Sequence, residues 1–149
     1  MKKYVVVKKY VVGFMFDDSM EKVVMIRKNR PDWQKGLLNG VGGGILPGEC
    51  SLHAMMREFE EETGVKTIAS TWAHVCTLRF PYAEVEFFAA KNSRCVGVAR
   101  TTTDEEIGFF WVGTNRLMQS AITGNPSRIA IDNIPALLEL SKQRLRAGI

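Results

Sequence analysis

Histidine and cysteine are scarce in this chain, with two histidines and three cysteines in 149 residues. Cys50, Cys76 and Cys95 are odd in number, widely spaced and without a C-x-x-C pair. A Cys/His zinc centre therefore lacks its ligands, and reduced thiols in a cytoplasmic protein are the simplest account. Charge of one sign is missing too. Lys and Arg number 20 against 16 Asp and Glu, a net charge of +4, and no block of five basic residues occurs. A solvated basic surface is expected, not a partner made of polymeric nucleic acid. Long apolar runs are also absent. The opening "MKKYVVVKKYVV" begins like a signal peptide, but Lys8 and Lys9 interrupt it and no small-residue cleavage site follows. Val11–Phe16 is far too short to span a bilayer. Neither a targeting segment nor a membrane partner is expected.

What is present reads as one domain over residues 1–149, with a hydrophobic fraction of 46% and a charged fraction of 24%. The Val-rich start predicts a long strand, "DDSMEK" a turn, and Val23–Lys28 the return strand of a hairpin. "LLNGVGGGILPGEC" holds too many glycines for a helix and predicts a tightly bent strand and loop. Ser51–Gly64 is the best helix, with Leu52, Met56, Phe59 and Thr63 on one face and Gly64 as its stop. Strands are expected over Ala69–Phe80, Glu84–Ala90 and Ile107–Val112. A short helix follows Gly113, and a longer one near Ile131–Arg146 has Pro135 in its first turns or at a kink. The order predicts an α/β domain with a mixed sheet between helices.

The first helix carries an electrostatic problem. "REFEEETGV" (Arg57–Val65) packs Glu58, Glu60, Glu61 and Glu62 together, and like charges three or four residues apart cost roughly 0.2–0.5 kcal/mol per pair. On a wheel at about 100° per residue, Glu58, Glu61 and Glu62 share one arc beside the buried face, while Glu60 points elsewhere. Three convergent carboxylates form a hard-oxygen site suited to Mg²⁺ or Mn²⁺. An ordinary solvated acidic face gives the same letters.

The preceding loop carries a resemblance that bears on this choice. From Gly43, five residues lead to Glu49 and seven more to Arg57-Glu58. Phe59, Glu60, the pair Glu61-Glu62, Thr63, Gly64 and Val65 follow. This resembles the complete signature of the MutT/Nudix hydrolases. The resemblance implies a Nudix fold and metal-dependent hydrolysis of a nucleoside diphosphate linked to another group. It implies Glu58, Glu61 and Glu62 as metal ligands, one of them doubling as base, and the Gly42 carbonyl as a further ligand. Glu49 and Arg57 would pair to hold the loop on the helix, with Gly43 and Gly64 structural. Some family members recruit another acid from a distal loop. Here "TTTDEEIGFFW" offers Asp104, Glu105 and Glu106, of which Glu106 stands at the spacing from Trp111 found in oxidised-purine triphosphatases.

The motif is silent on the substrate group. In those triphosphatases an Asn before the glycine loop bonds the base and an aromatic six residues earlier stacks on it. Asn39 and Trp33 stand at these places, and Lys28, with Arg27, Arg30 and Lys35, could bring positive charge to the phosphates. A core-packing Trp33 and a turn-forming Asn39 are the plainer readings. The C-terminal stretch "GNPSRIAIDNIPALLEL" departs from the pattern, offering Asn125, Asp132 and Asn133 but no doubled acid. The expectation is a pyrophosphohydrolase of a (deoxy)nucleoside triphosphate, an oxidised purine such as 8-oxo-dGTP being one option, acting as monomer or homodimer. The alternatives are an ADP-ribose or nucleotide-sugar pyrophosphatase and a non-hydrolytic nucleotide sensor.

Overall fold

A computed structural model describes residues 6–111 and 133–148. Its seven strands form one mixed sheet: β1 (Lys8–Phe16), β2 (Lys22–Arg27), β3 (Leu38–Asn39), β4 (Val41–Gly44), β5 (Ala73–Arg79), β6 (Ala83–Lys91) and β7 (Glu106–Trp111). Three helices are seen among the described residues: α1 (Ser51–Thr63), α2 (Ser93–Val98) and α3 (Ile134–Arg146). The mixed α/β architecture is the one the element order predicts. No helix among these residues is long and apolar enough to cross a membrane.

β1 organises the sheet. One edge runs parallel to β6 from Lys8↔Ala83 to Phe16↔Lys91, and the other pairs antiparallel with β4 from Tyr10↔Gly44 to Gly13↔Val41. Its side chains serve two cores. Val11 and Met15 pack with Ala54, Met55 and Phe59 of α1, whereas Phe14 and Phe16 pack with Ile134, Leu137 and Leu138 of α3. β6 divides in the same way, Phe88 and Ala90 towards the first cluster, Phe87 and Ala89 towards the second. A strand covered on both faces reads as a continuous apolar run, which accounts for "YVVGFMF".

Several expected elements are adjusted. β1 and β2 follow one another through the Asp17–Lys22 turn, yet they share only the Phe16↔Val23 pair, because β4 occupies the rest of that edge of β1 and β3 the far end of that edge of β2, while β7 covers the opposite edge of β2. Ala69–Thr71 is a 3₁₀ turn, and β5 begins after it. Helix α2 lies outside the expected elements; Asn92 caps it by accepting from the Cys95 N–H at 3.0 Å. The buried stripe of α1 is also rotated by one position. Met55, Phe59 and Thr63 are fully buried, whereas Leu52 and Met56 are half-buried, because the helix turns Glu58 inward towards β4. Gly64 ends α1 at φ 73°, its N–H on the Glu60 carbonyl. Pro135 lies in the first turn of α3, with no kink needed. The helix expected after Gly113, together with Asn125 and Asp132, lies outside the described residues. Asn133 is described and precedes α3.

Phe59 sits at the centre of the α1 face, wholly buried and edge-on to Trp72 at 5.2 Å. Phe59→Ala should cost about 3–5 kcal/mol in urea unfolding monitored by circular dichroism. A loss below about 1 kcal/mol would mean that α1 is not packed as described.

Candidate active site

The acidic helix is held by one guanidinium. Arg57 donates from Nε and Nη2 to the two oxygens of Glu49 at 2.8 and 2.9 Å, and from Nη2 to the Gly44 carbonyl at 2.9 Å. Its Nη1 reaches Glu58 at 2.9 Å and Glu61 at 3.3 Å. The Glu49 pair is a two-point fork, so it fixes the plane of the guanidinium as well as its position. That bond holds the Glu49 carboxyl down at about 2 from its usual 4.5. The guanidinium thus staples the loop before α1 to the helix and places positive charge between two of its carboxylates.

The glycines of β4 allow this approach. A side chain on Gly42 would run into the Val11 carbonyl of β1. One on Gly43 would come within 2.5 Å of the Glu58 carboxylate, which rests against that residue. Glu58 is consequently 9% exposed, and burial raises its pKa despite Arg57. Glu61 lies at the surface. Glu60 is exposed as well, and its side chain has no hydrogen bond or ion pair among the described residues.

Glu62 is held differently. It is half-buried and accepts from the Thr103 hydroxyl at 2.7 Å, across 41 residues of sequence. Burial raises its pKa, the Thr103 bond opposes that, and the nearby Glu105 charge adds to it. The segment carrying Thr103 is tied on every side. Thr102 donates to the Glu61 carbonyl, Asp104 pairs with Arg30, and buried Glu105 accepts from the Asn29 N–H at 2.6 Å and from Lys28 Nζ at 3.1 Å.

A cavity of about 680 Å³ opens beside these groups. Glu58, Glu62 and Glu105 line it together with Lys28, Arg30, Asn39, Gly42 and Gly43. The rest of its wall comes from other elements and is largely apolar: Val12 of β1, Val85 and Phe87 of β6, Phe80 beyond β5, and Trp33 in the 3₁₀ turn Asp32–Gln34. Trp33 is 63% exposed, so it packs in neither core. Asn39 is buried, and its Oδ1 accepts the Gly40 N–H at 2.8 Å. The structure therefore gathers Trp33, Lys28, Asn39, Gly42, Gly43, Glu58 and Glu62 around one cavity, with Glu61 outside its lining. Glu106 does not line it either. That residue is exposed on β7, in register with Arg27, and its neighbour Glu105 occupies the inner position. Glu105 precedes the strand, where its carboxylate accepts from Lys28 Nζ and the Asn29 N–H. Glu105 stood among three candidate acids, but nothing in the polar string "TTTDEE" distinguished it or announced the Thr103 contact. The strand expected over Ala69–Phe80 gives Phe80 no place in a site.

Among the described residues no three His, Cys, Asp or Glu side chains already converge on one point. Arg57 engages Glu58 and Glu61 through Nη1, whereas Glu62 is engaged by Thr103. The chemistry of the donors nevertheless fits a hard divalent ion, with oxygen ligands on one side of α1 beside a strand whose glycines leave the backbone open. Releasing Nη1 from Glu58 and Glu61 leaves Arg57 anchored through Nε and Nη2.

Comparison with known proteins bears on the family and the fold. A family model described as the NUDIX domain matches residues 7–131. A MutT structure, from work on Aliivibrio salmonicida and Vibrio cholerae, superposes with a TM-score of 0.67 at 20% identity, over 91% of this chain and 98% of that one. The NUDIX domain of Shewanella oneidensis NrtR, crystallised with ADP ribose, gives 0.69 at 17% identity, over 97% and 90%. A MutT/nudix family protein from Enterococcus faecalis gives 0.63 at 16% identity, over 74% of this chain and 46% of that one. At such identities the likeness is one of fold. Comparison with curated protein sequences gives no match.

Two carboxylates should respond oppositely to pH in the metal-free protein. Glu49 is more acidic folded than unfolded, so its contribution is complete above pH 4.5 and is lost as pH falls towards about 2. Glu49→Gln should lower stability at neutral pH and flatten the acid limb in that window. Glu62 is less acidic folded than unfolded, so its ionised form opposes folding at neutral pH. Glu62→Gln should stabilise the protein at pH 7, the advantage fading as pH drops to 4.5. Urea midpoints measured from pH 2 to 8 without divalent ions check both signs.

Proposed function

Because the chain belongs to the Nudix domain family, whose members are pyrophosphohydrolases, we propose that it hydrolyses a (deoxy)nucleoside triphosphate to the monophosphate and pyrophosphate. The observation that carries this reading is the divided wall of the 680 Å³ cavity, with carboxylates and cations from α1 and the flanking loops, and aromatic and aliphatic groups from β1, β6 and Trp33. A polyphosphate joined to a flat base has the matching division, and the volume suits a ligand of that size.

In this reading Glu58, Glu61 and Glu62 hold Mg²⁺ or Mn²⁺, with the Gly42 carbonyl as a further oxygen donor. When bound, the ion neutralises phosphoryl charge and favours attack by water. Lys28 and Arg30 face the same cavity and draw the phosphates in; Glu105 keeps the Lys28 ammonium aimed by its contact at 3.1 Å. The acid contributed by the distal segment is Glu105 in place of Glu106. A carboxylate of the helix group takes the proton of the attacking water as the phosphoanhydride bond breaks. Trp33 stacks on the base. Asn39 spends its oxygen on Gly40, so its amide N–H groups are what it offers to a base acceptor. An oxidised purine such as 8-oxo-dGTP remains one member of this substrate class.

The substrate class is tested by incubating the protein with Mg²⁺ and nucleoside triphosphates, oxidised purines included, alongside ADP-ribose and nucleotide sugars, with phosphate products measured. Triphosphates should turn over with the highest kcat/KM. Preference for ADP-ribose or a sugar nucleotide would replace the reading, and binding without turnover would make the protein a sensor. Glu62→Gln should abolish most turnover while the fold persists. Trp33→Ala should raise KM, by the loss of a stack worth about 1–3 kcal/mol, and leave the unfolding midpoint unchanged. A shifted midpoint with unchanged KM would make Trp33 a packing residue.

A further inference from the structure

The three helix carboxylates are held by two chemically different partners. Glu58 and Glu61 share Nη1 of Arg57, so part of their charge is already met by a cation. Glu62 is held by a neutral hydroxyl, which orients the carboxylate without cancelling its charge. The Thr103 oxygen accepts the Glu105 N–H at 3.1 Å, and its single proton goes to Glu62 Oε2 at 2.7 Å. With one oxygen engaged, the other oxygen of Glu62 keeps its lone pairs for the cavity.

Thr103 is itself immobilised. On one side Thr102 donates to the Glu61 carbonyl. On the other, Asp104 binds Arg30 and Asn29, and Glu105 binds Lys28 and the Asn29 N–H. The hydroxyl is therefore presented by a segment tied both to α1 and to the strand end that carries the cavity cations. Resting on the reading of Glu62 as a metal ligand, we propose that Thr103 is a positioning residue: its hydroxyl fixes the Glu62 carboxylate in the orientation that receives a divalent cation. A side chain of the same shape without the hydroxyl leaves Glu62 free to rotate, whereas serine keeps the bond.

The test is a Mn²⁺ titration of the full chain followed by electron paramagnetic resonance of the free ion, with no substrate present. Thr103→Val and Thr103→Ala should each bind Mn²⁺ about 10-fold more weakly than the parent protein. Thr103→Ser should bind within about twofold of it, and all three should keep the parent circular dichroism spectrum. Glu62→Gln is the control for the underlying reading. If Glu62→Gln weakens binding while Thr103→Val and Thr103→Ala do not, the positioning role is wrong and the ligand assignment stands. If Thr103→Ser weakens binding as much as Thr103→Val, the hydroxyl is not the working group and the proposal fails. Unchanged binding in Glu62→Gln removes Glu62 from the metal site and the proposal with it.

Discussion

The ion pair between Arg57 and Glu49 is the constraint from which the rest of the site follows. Two parallel N–H bonds to one carboxylate fix a planar group in position and in rotation. With Nε and Nη2 committed to Glu49 and the Gly44 carbonyl, Nη1 has one place left to point, the gap between Glu58 and Glu61. A lysine there would present a single charge on a flexible stem and could not tie loop, strand and helix at once. Because Arg57 lies on the helix it neutralises, detaching the loop would leave the guanidinium beside the acids but remove the Glu49 and Gly44 contacts that fix the direction of Nη1.

The sheet makes that staple rigid. β4 carries Gly44, and it lies against β1, whose side chains are buried on both faces. Any shift of β1 would disturb two cores together, and close-packed interiors resist such shifts. At Gly42 the backbones of β4 and β1 come close enough to exclude a side chain, and at Gly43 the vacated space admits the Glu58 carboxylate. Burying that carboxylate is unfavourable, as the upward displacement of its pKa records. The nearby guanidinium offsets part of the penalty. The candidate site is thus a seam among a central strand, a short glycine strand and a helix, with its electrostatics built in.

Much of this was legible in the chain because the information is local. The helix, its glycine stop and the Glu49–Arg57 relationship lie within one short stretch, and periodicity alone separates Glu60 from Glu58, Glu61 and Glu62. Trp33 and Asn39 were placed by their distance from the glycine loop, and both line the cavity. What escaped depends on long-range packing. The buried stripe of α1 turned on which residue meets β4, so Met55 took the place assigned to Met56. The choice between Glu105 and Glu106 depends on contacts more than seventy residues away: Glu105 is held inward by Lys28 and the Asn29 N–H, while Glu106 begins β7 opposite Arg27. Asn92 could have been read as a helix cap; Thr103 could not have been read from its neighbours at all, since its partner is 41 residues away.

The carboxylates also show why such a site burdens its own fold. Glu58 and Glu62 are both pushed towards the neutral form by burial, and Glu62 feels the further charge of Glu105. A fold selected for stability alone would place amides or apolar groups there. Keeping acids in a half-buried row stores unfavourable energy that a bound cation would release, so occupancy and stability are linked. Under the proposed reading the same arrangement sets a direction for substrate. Lys28 and Arg30, each engaged by an acid of the distal segment, provide positive charge beside the acidic row, while the aromatic wall offers none. A ligand with charge at one end and a flat apolar ring at the other then has a single way to lie in the cavity that satisfies both.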